Sequence, residues 1–315
     1  EFRNTTVRSH FLLDIVDIHT LNMDGTIFEP NSSLVLSGNF KIIKFYNTHF
    51  NAHSSIVVSA NVRIIRFLSA IFESKASVLL RFLSAIINSD ISPLLFRESS
   101  TEHLNFLRRT RNDILFYDSK FKSNSSLLFI SKSLSNVRFN KAIFEANSSM
   151  HITGNVFSIS DFNSSFKSHS SLVLSAKDSE IRFSNTKFES DVSTVISAPV
   201  KIIYFEEFEA CISLHIREPV ETILFKNSII KPNSLLDITS NVSVLLFENA
   251  TFEPLSSLQI SGNVNHIQLN GTTFHSNSSL VISAVSNIEL SNVTFLSDAS
   301  LNISNKYSFL NLSQD

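Results

Sequence analysis

The chain is 315 residues long and 43% hydrophobic, enough to bury a large core. Its 26 Lys and Arg nearly balance 28 Asp and Glu, and the resulting charge of −2 gives no overall field toward nucleic acid or an anionic membrane. Gly is limited to 5 and Cys to 1 (Cys211), which excludes collagen-like designs and an internal disulfide, and no window of 18 apolar residues offers a transmembrane helix.

Phe is used 29 times against 4 Tyr and no Trp, as if one interior position were filled repeatedly. In chain order, Phe11 to Ile18 already fits strand positions. From Phe28 the chain reads "FEPNSSLVLSGNFKIIKFYNTHF", a pattern that returns from Phe252 as "FEPLSSLQISGNVNHIQLNGTTF" and from Phe274 as "FHSNSSLVISAVSNIELSNVTF". A closing Phe recurs at Phe28, Phe50, Phe72, Phe121, Phe144, Phe166, Phe188, Phe252, Phe274 and Phe295, with Ile230 standing in once. A middle aromatic recurs at Phe45, Phe67, Phe82, Phe116, Phe139, Phe162, Phe183, Phe205, Phe225 and Phe247, then becomes Leu269 and Leu290.

Within each unit the apolar residues alternate, as in Leu34-x-Leu36 and Ile43-x-Phe45. Period two means strand, and no segment holds helical spacing. A unit this short buries nothing alone, but stacked copies share one core. The expected fold is therefore all-β: a single-stranded parallel β-helix of about 14 coils, roughly 22 residues per coil. Phe45, Phe67, Phe139, Phe183, Phe225 and Phe247 should form one interior column. Asn47, Asn185, Asn227, Asn249 and Asn292 follow the middle aromatic by two residues, and alternation places them inside a corner as an amide ladder.

Between Glu73 and Lys120 the register slips, with "RFLSAI" at Arg66 and again at Arg81. This interval reads as a short coil followed by a coil carrying an inserted, charged loop at 97–111, where solenoids often place binding residues. Its charges include Arg97, Glu98, Glu102, His103, Arg108, Arg109 and Arg111. No Pro/Gly linker marks a boundary, so residues 1–315 read as one continuous solenoid with a register break at about 73–120. Neither end shows a polar cap. That points to head-to-tail pairing of copies, or to a longer parent chain.

The "F-x-N" corners of "FYNTHF", "FSNTKF" and "FENATF", each followed by a small-residue turn and an apolar strand, resemble the repeats of polymorphic outer membrane proteins. That resemblance implies a right-handed parallel β-helix displayed at a cell surface. "SSL" stands where that family has a Gly-Gly-Ala-Ile-like segment. The spacing from Phe to "SSL" also resembles surface-antigen leucine-rich repeats, with Asn in place of their Cys.

Sequons N-x-S/T occur at Asn4, Asn31, Asn124, Asn147, Asn163, Asn241, Asn249, Asn270, Asn277, Asn292, Asn302 and Asn311. Of these, Asn31, Asn124, Asn147, Asn163, Asn241, Asn270, Asn277 and Asn302 are the expected glycan acceptors, while Asn249 and Asn292 lie in the inward slot where sugar has no room. The best acidic clusters are Glu206, Glu207 and Glu209, and Asp14 with Asp17. They lack a second converging pair, the histidines show no metal spacing, and His53 and His169 fill the slot held elsewhere by sequon Asn. No catalytic, metal or cofactor site is expected. Lys44 and Arg66 should lie one coil apart on an outer face, able to meet an anionic surface glycan. The sequence thus reads as an extracellular structural or adhesive repeat glycoprotein, rod-like or filament-forming, without a nucleic-acid partner or membrane span. The rival reading is a carbohydrate-active β-helix enzyme or glycan-binding module.

Overall fold

A computed structural model describes residues 1–82, 113–177, 179–303 and 309–313. Among them all regular structure is β-strand, and strands pair in parallel with their counterparts one coil away. The stack has about 12 turns of about 22 residues each. A representative coil contains the long strand Ser33–Tyr46, bent at Gly38, and the short strand His49–Phe50. It presents three faces. Face A carries Ser33–Leu36, face B carries Ile42–Tyr46 and face C carries the two-residue strand. The next coil repeats this with Ser55–Leu68 and Ile71–Phe72, pairing Leu34 with Ile56, Phe45 with Phe67 and Phe50 with Phe72.

Each corner has its own chemistry. Between faces C and A, Ser32 donates its N–H (3.1 Å) and its hydroxyl (2.7 Å) to the Glu29 carbonyl, with Asn31 at φ +61°. Pro at the second position and a left-handed residue at the third is the signature of a type II turn. Lys167–Ser170, Glu253–Ser256 and His275–Ser278 repeat the same pair of bonds. Between faces A and B, Gly154 takes φ +105°, and a Cβ there would sit 1.8 Å from the Ser131 carbonyl oxygen. Only glycine lets those two coils approach.

The core is a set of continuous side-chain columns. Phe45, Phe67, Phe116 and Phe139 stack with ring centroids 4.6, 4.6 and 5.1 Å apart, and Phe183, Phe205, Phe225 and Phe247 stack at 5.5, 4.5 and 4.9 Å. The closing Phe forms a second column, from Phe28 through Phe188, crossing the first edge-to-face. Such pairs contribute about 0.5–1.5 kcal/mol each beyond the area they bury. Where the second column narrows to Ala210, Phe208 turns inward and packs 4.7 Å from Phe205 and 5.1 Å from Phe188. The missing volume is refilled from the next corner.

Three expectations are corrected. First, Ser77–Phe82 and Asp113–Tyr117 both pair with Ser55–Leu68 on one side and Ser126–Asn140 on the other. They are faces A and B of one coil, not parts of two, and Phe72 stacks directly on Phe121 at 4.7 Å. The repeated "RFLSAI" is a coincidence of composition. Phe82 opposes Ala60, while Phe116 opposes Phe67. The charged residues of 97–111 lie outside the described residues.

Second, Phe162 is not in the middle column. Phe139 pairs with Asp161, which is buried, and Phe162 pairs with Asn140 on the outer side. In "SISDF" the alternation keeps its register, with Ile159 buried opposite Val137, but Asp stands in the aromatic slot and the Phe comes one residue later, on the outer side.

Third, Asn47, Asn185, Asn227, Asn249 and Asn292 are exposed rather than inward. Each takes a left-handed conformation (φ +46° to +52°), which ends the pleat and turns its side chain out. The inward slot belongs to the next residue. Thr48, Thr186 and Ser228 are buried there, and Ser228 donates its hydroxyl to the Phe205 and Lys226 carbonyls at 3.0 Å.

Candidate functional site

The displaced asparagines still stack, along the outer edge between faces B and C. Asn185 Nδ2 donates to Asn163 Oδ1 at 2.7 Å and Asn249 Nδ2 to Asn227 Oδ1 at 3.4 Å. Their backbone N–H groups bond the next coil, as Asn227 does to the Glu248 carbonyl at 2.8 Å. A further ladder, not found by reading the sequence, runs along the A/B corner. Asp17 Oδ1 accepts from the Asn39 N–H (2.7 Å) and Asn39 Nδ2 (3.1 Å), and Asn39 Oδ1 accepts from Asn61 Nδ2 (3.0 Å). The "SGN" and "SAN" corners held that signal.

All eight expected glycan acceptors, Asn31, Asn124, Asn147, Asn163, Asn241, Asn270, Asn277 and Asn302, are exposed. So are Asn249 and Asn292, which removes the distinction drawn between the two groups. His53 and His169 sit in the left-handed turn position beside sequon Asn, exposed.

Face A is almost uncharged over much of its length. Its first outward column reads Ser33, Ser55, Ser77, Ser126, Ser149, Ser171 and Ser193, each pairing with the next. Hydroxyls meet across coils there, as Ser55 does with Ser33 at 2.9 Å. Face C instead carries a zigzag of ion pairs. Glu209 lies 3.4 Å from Lys187 and 2.9 Å from Lys231, which reaches Glu253 at 3.7 Å. Lys167 pairs with Glu189, and Lys120 with Glu145 at 2.9 Å. A hydrogen bond from Lys231 holds the Glu209 carboxyl below its ordinary pKa, and the same bond raises Lys231. These groups neutralise a shallow groove of about 470 Å³ between Lys167 and Lys231.

The acidic clusters do not converge. Glu206 lies on face B, 3.7 Å from Arg182, while Glu209 lies on face C, with Glu207 in the left-handed corner between them. Asp17 serves the A/B corner ladder and Asp14 faces solvent. No cluster of three His, Cys, Asp or Glu able to hold a metal occurs among the described residues.

Face B is the exception to this neutrality. Lys44 opposes Arg66, as expected, and the column continues Leu115, Arg138, Ser160, Arg182 and Tyr204. The neighbouring outward column reads Tyr46, Leu68, Tyr117, Asn140, Phe162 and Ser184. Rings and cations lie side by side: Lys44 Nζ is 5.9 Å from the Tyr46 ring centre, Lys141 Nζ 5.7 Å from Tyr117 and Arg182 Cζ 5.2 Å from Tyr204. Asp113 is the counter-charge within the stripe. It accepts a 2.5 Å hydrogen bond from Asn136, and partial burial raises its pKa against the pull of Arg138, Arg66 and Arg63. Burial likewise lowers the Arg138 pKa, with Asp113 opposing.

No family model matches the sequence, and no curated protein is significantly similar to it. The structure overlaps that of a TibC-catalysed, hyper-glycosylated TibA fragment (residues 55–350) with a TM-score of 0.36 and 12% identity, over 94% of this chain and 99% of that one. So loose an overlap carries no argument about function.

Proposed function

We propose that this protein is an extracellular structural rod, a surface repeat glycoprotein that works by display and adhesion and has no catalytic role. The supporting observation is the in-register stacking of nearly identical coils around two Phe columns, with polar, sequon-bearing corners on the outside. Such a scaffold spends its regularity on length and on repeated surface chemistry rather than on a cleft. Among the described residues the carboxylates are dispersed or paired with cations, which favours this reading over a polysaccharide lyase or hydrolase.

Head-to-tail self-association belongs to the same proposal. Coils pair in parallel by backbone hydrogen bonds from one to the next, a contact that copies of the chain can repeat end to end. Sedimentation across a hundredfold concentration range would show growth into longer species; a constant monomer mass would remove the filament part alone. The surface reading is tested on cells that make the protein, by protease shaving followed by glycopeptide mass spectrometry. Shaved peptides carrying N-glycans at Asn31, Asn147 or Asn277 are expected. Peptides recovered only after lysis, all unglycosylated, would overturn it.

A further inference from the structure

Two columns of face B carry a pattern with a period of two coils. Arginines stand on alternate coils at Arg66, Arg138 and Arg182, with Leu115 and Ser160 between them. Aromatic rings stand on the intervening coils at Tyr46, Tyr117 and Phe162, with Leu68 and Asn140 between them. Rings and guanidinium groups therefore alternate along the solenoid axis. Coils repeat at about 4.8 Å, so like groups recur every ~10 Å.

The third ring, Phe162, stands outward beside the buried Asp161, as Tyr46 stands beside Phe45 and Tyr117 beside Phe116. Every other coil from Phe45 to Phe247 places a Phe in the slot of Asp161, among the described residues.

We propose that face B binds an extended acidic polysaccharide, lying along the axis from Tyr46 to Arg182, whose anionic group recurs once per disaccharide. Each guanidinium would meet a carboxylate or sulfate through charge-assisted, bidentate hydrogen bonds. Each ring would take the apolar face of the intervening sugar, with the neighbouring cations holding the tyrosines in place. A nucleic-acid duplex fits poorly, since its charges come every ~3.4 Å along each strand. The inference rests on the surface-rod reading and names what one side of the rod holds.

The test uses the intact chain in calorimetric titrations with a hyaluronan decasaccharide, a polygalacturonate decamer, a neutral cello-oligosaccharide and a single-stranded DNA oligomer. Hyaluronan should bind tightest, and more weakly as salt rises. Arg138→Ala and Phe162→Ser should each raise its dissociation constant at least tenfold, while Lys231→Ala on face C leaves it unchanged. Arg138→Lys, which keeps the charge and the fold, should recover only part of the loss. Absence of binding by hyaluronan, equal binding by polygalacturonate, tighter binding by DNA, or an equal loss in Lys231→Ala would each overturn the proposal. A chain shaved from the cell surface with its glycans, yet binding none of these, would lose this inference and keep the surface reading.

Discussion

Asp161 sits between Phe139 and Phe183 in the register of the middle column, where burial raises its pKa from 3.8 to about 7. Desolvation dominates, and the Ser164 hydroxyl and Phe162 N–H pull the value back only in part. The unfolded carboxyl ionises near pH 4, while the native one keeps its proton to about pH 7. The native state binds more protons at this group across that window, so the contribution of Asp161 to stability is greatest below pH 4, falls as pH rises to 7 and then levels. The fall attributable to this group is on the order of 4 kcal/mol. Asp161→Asn should flatten it, as urea unfolding at pH 4.5 and 7.5 would show; an unchanged slope would mean the carboxyl is solvated.

Another residue-scale strain lies at Leu255, exposed and left-handed at φ +62° where other coils place Asn, His, Asp or Lys. Leu255→Gly should gain about 1 kcal/mol in thermal or chemical unfolding. The sequons add a crowding effect. Asn124 and Asn147 occupy the same turn on successive coils, about 4.8 Å apart. Glycopeptides from a single molecule should carry sugar at one or the other, and full occupancy of both would show the turns splayed.

At the scale of the element, the coil was legible because its core positions repeat. Leu34, Leu36, Ile43, Phe45 and Phe50 are all buried, as their alternation required. Facing at the corners was not legible, because alternation assumes extended backbone and fails at a left-handed residue. That is why Asn249 was read as inward and Ala250, which is buried, was overlooked. Phe162 is illegible for a different reason, since the aromatic that marks the inward slot elsewhere here stands one residue past it, while Asp161 holds the slot in unbroken register. Phe247→Ala should cost about 3–5 kcal/mol, because the rigid columns above and below cannot close the cavity.

The interrupted coil gives a sharper element-scale expectation. In the coil before it, Asn61, Val62 and Arg63 bridge the positions that Phe82 and Asp113 occupy in this one. Replacing residues 83–112 with Asn-Val-Arg should therefore yield a regular coil and a cooperative melt. Unfolding or aggregation of that variant would mean the two half-coils are not neighbours.

At the scale of the whole molecule, the repeat length and the stacking order followed from spacing alone, whereas the two-coil pattern of face B became visible only once register was known. Long-range pairing is the claim on which every face and corner assignment depends, and the interrupted coil is where it is most exposed. Ile71 and Lys120 are 49 positions apart in sequence but paired on adjacent coils, and Lys120 pairs in turn with Ile143. Adjacent in-register Cα atoms lie about 4.8 Å apart, within disulfide range, while atoms two coils apart do not. In a Cys211→Ser background, the double variant Ile71→Cys/Lys120→Cys should oxidise rapidly and completely to an intramolecular disulfide, while Ile71→Cys/Ile143→Cys stays reduced. The reverse result, or no disulfide in either variant, would contradict the continuous stack.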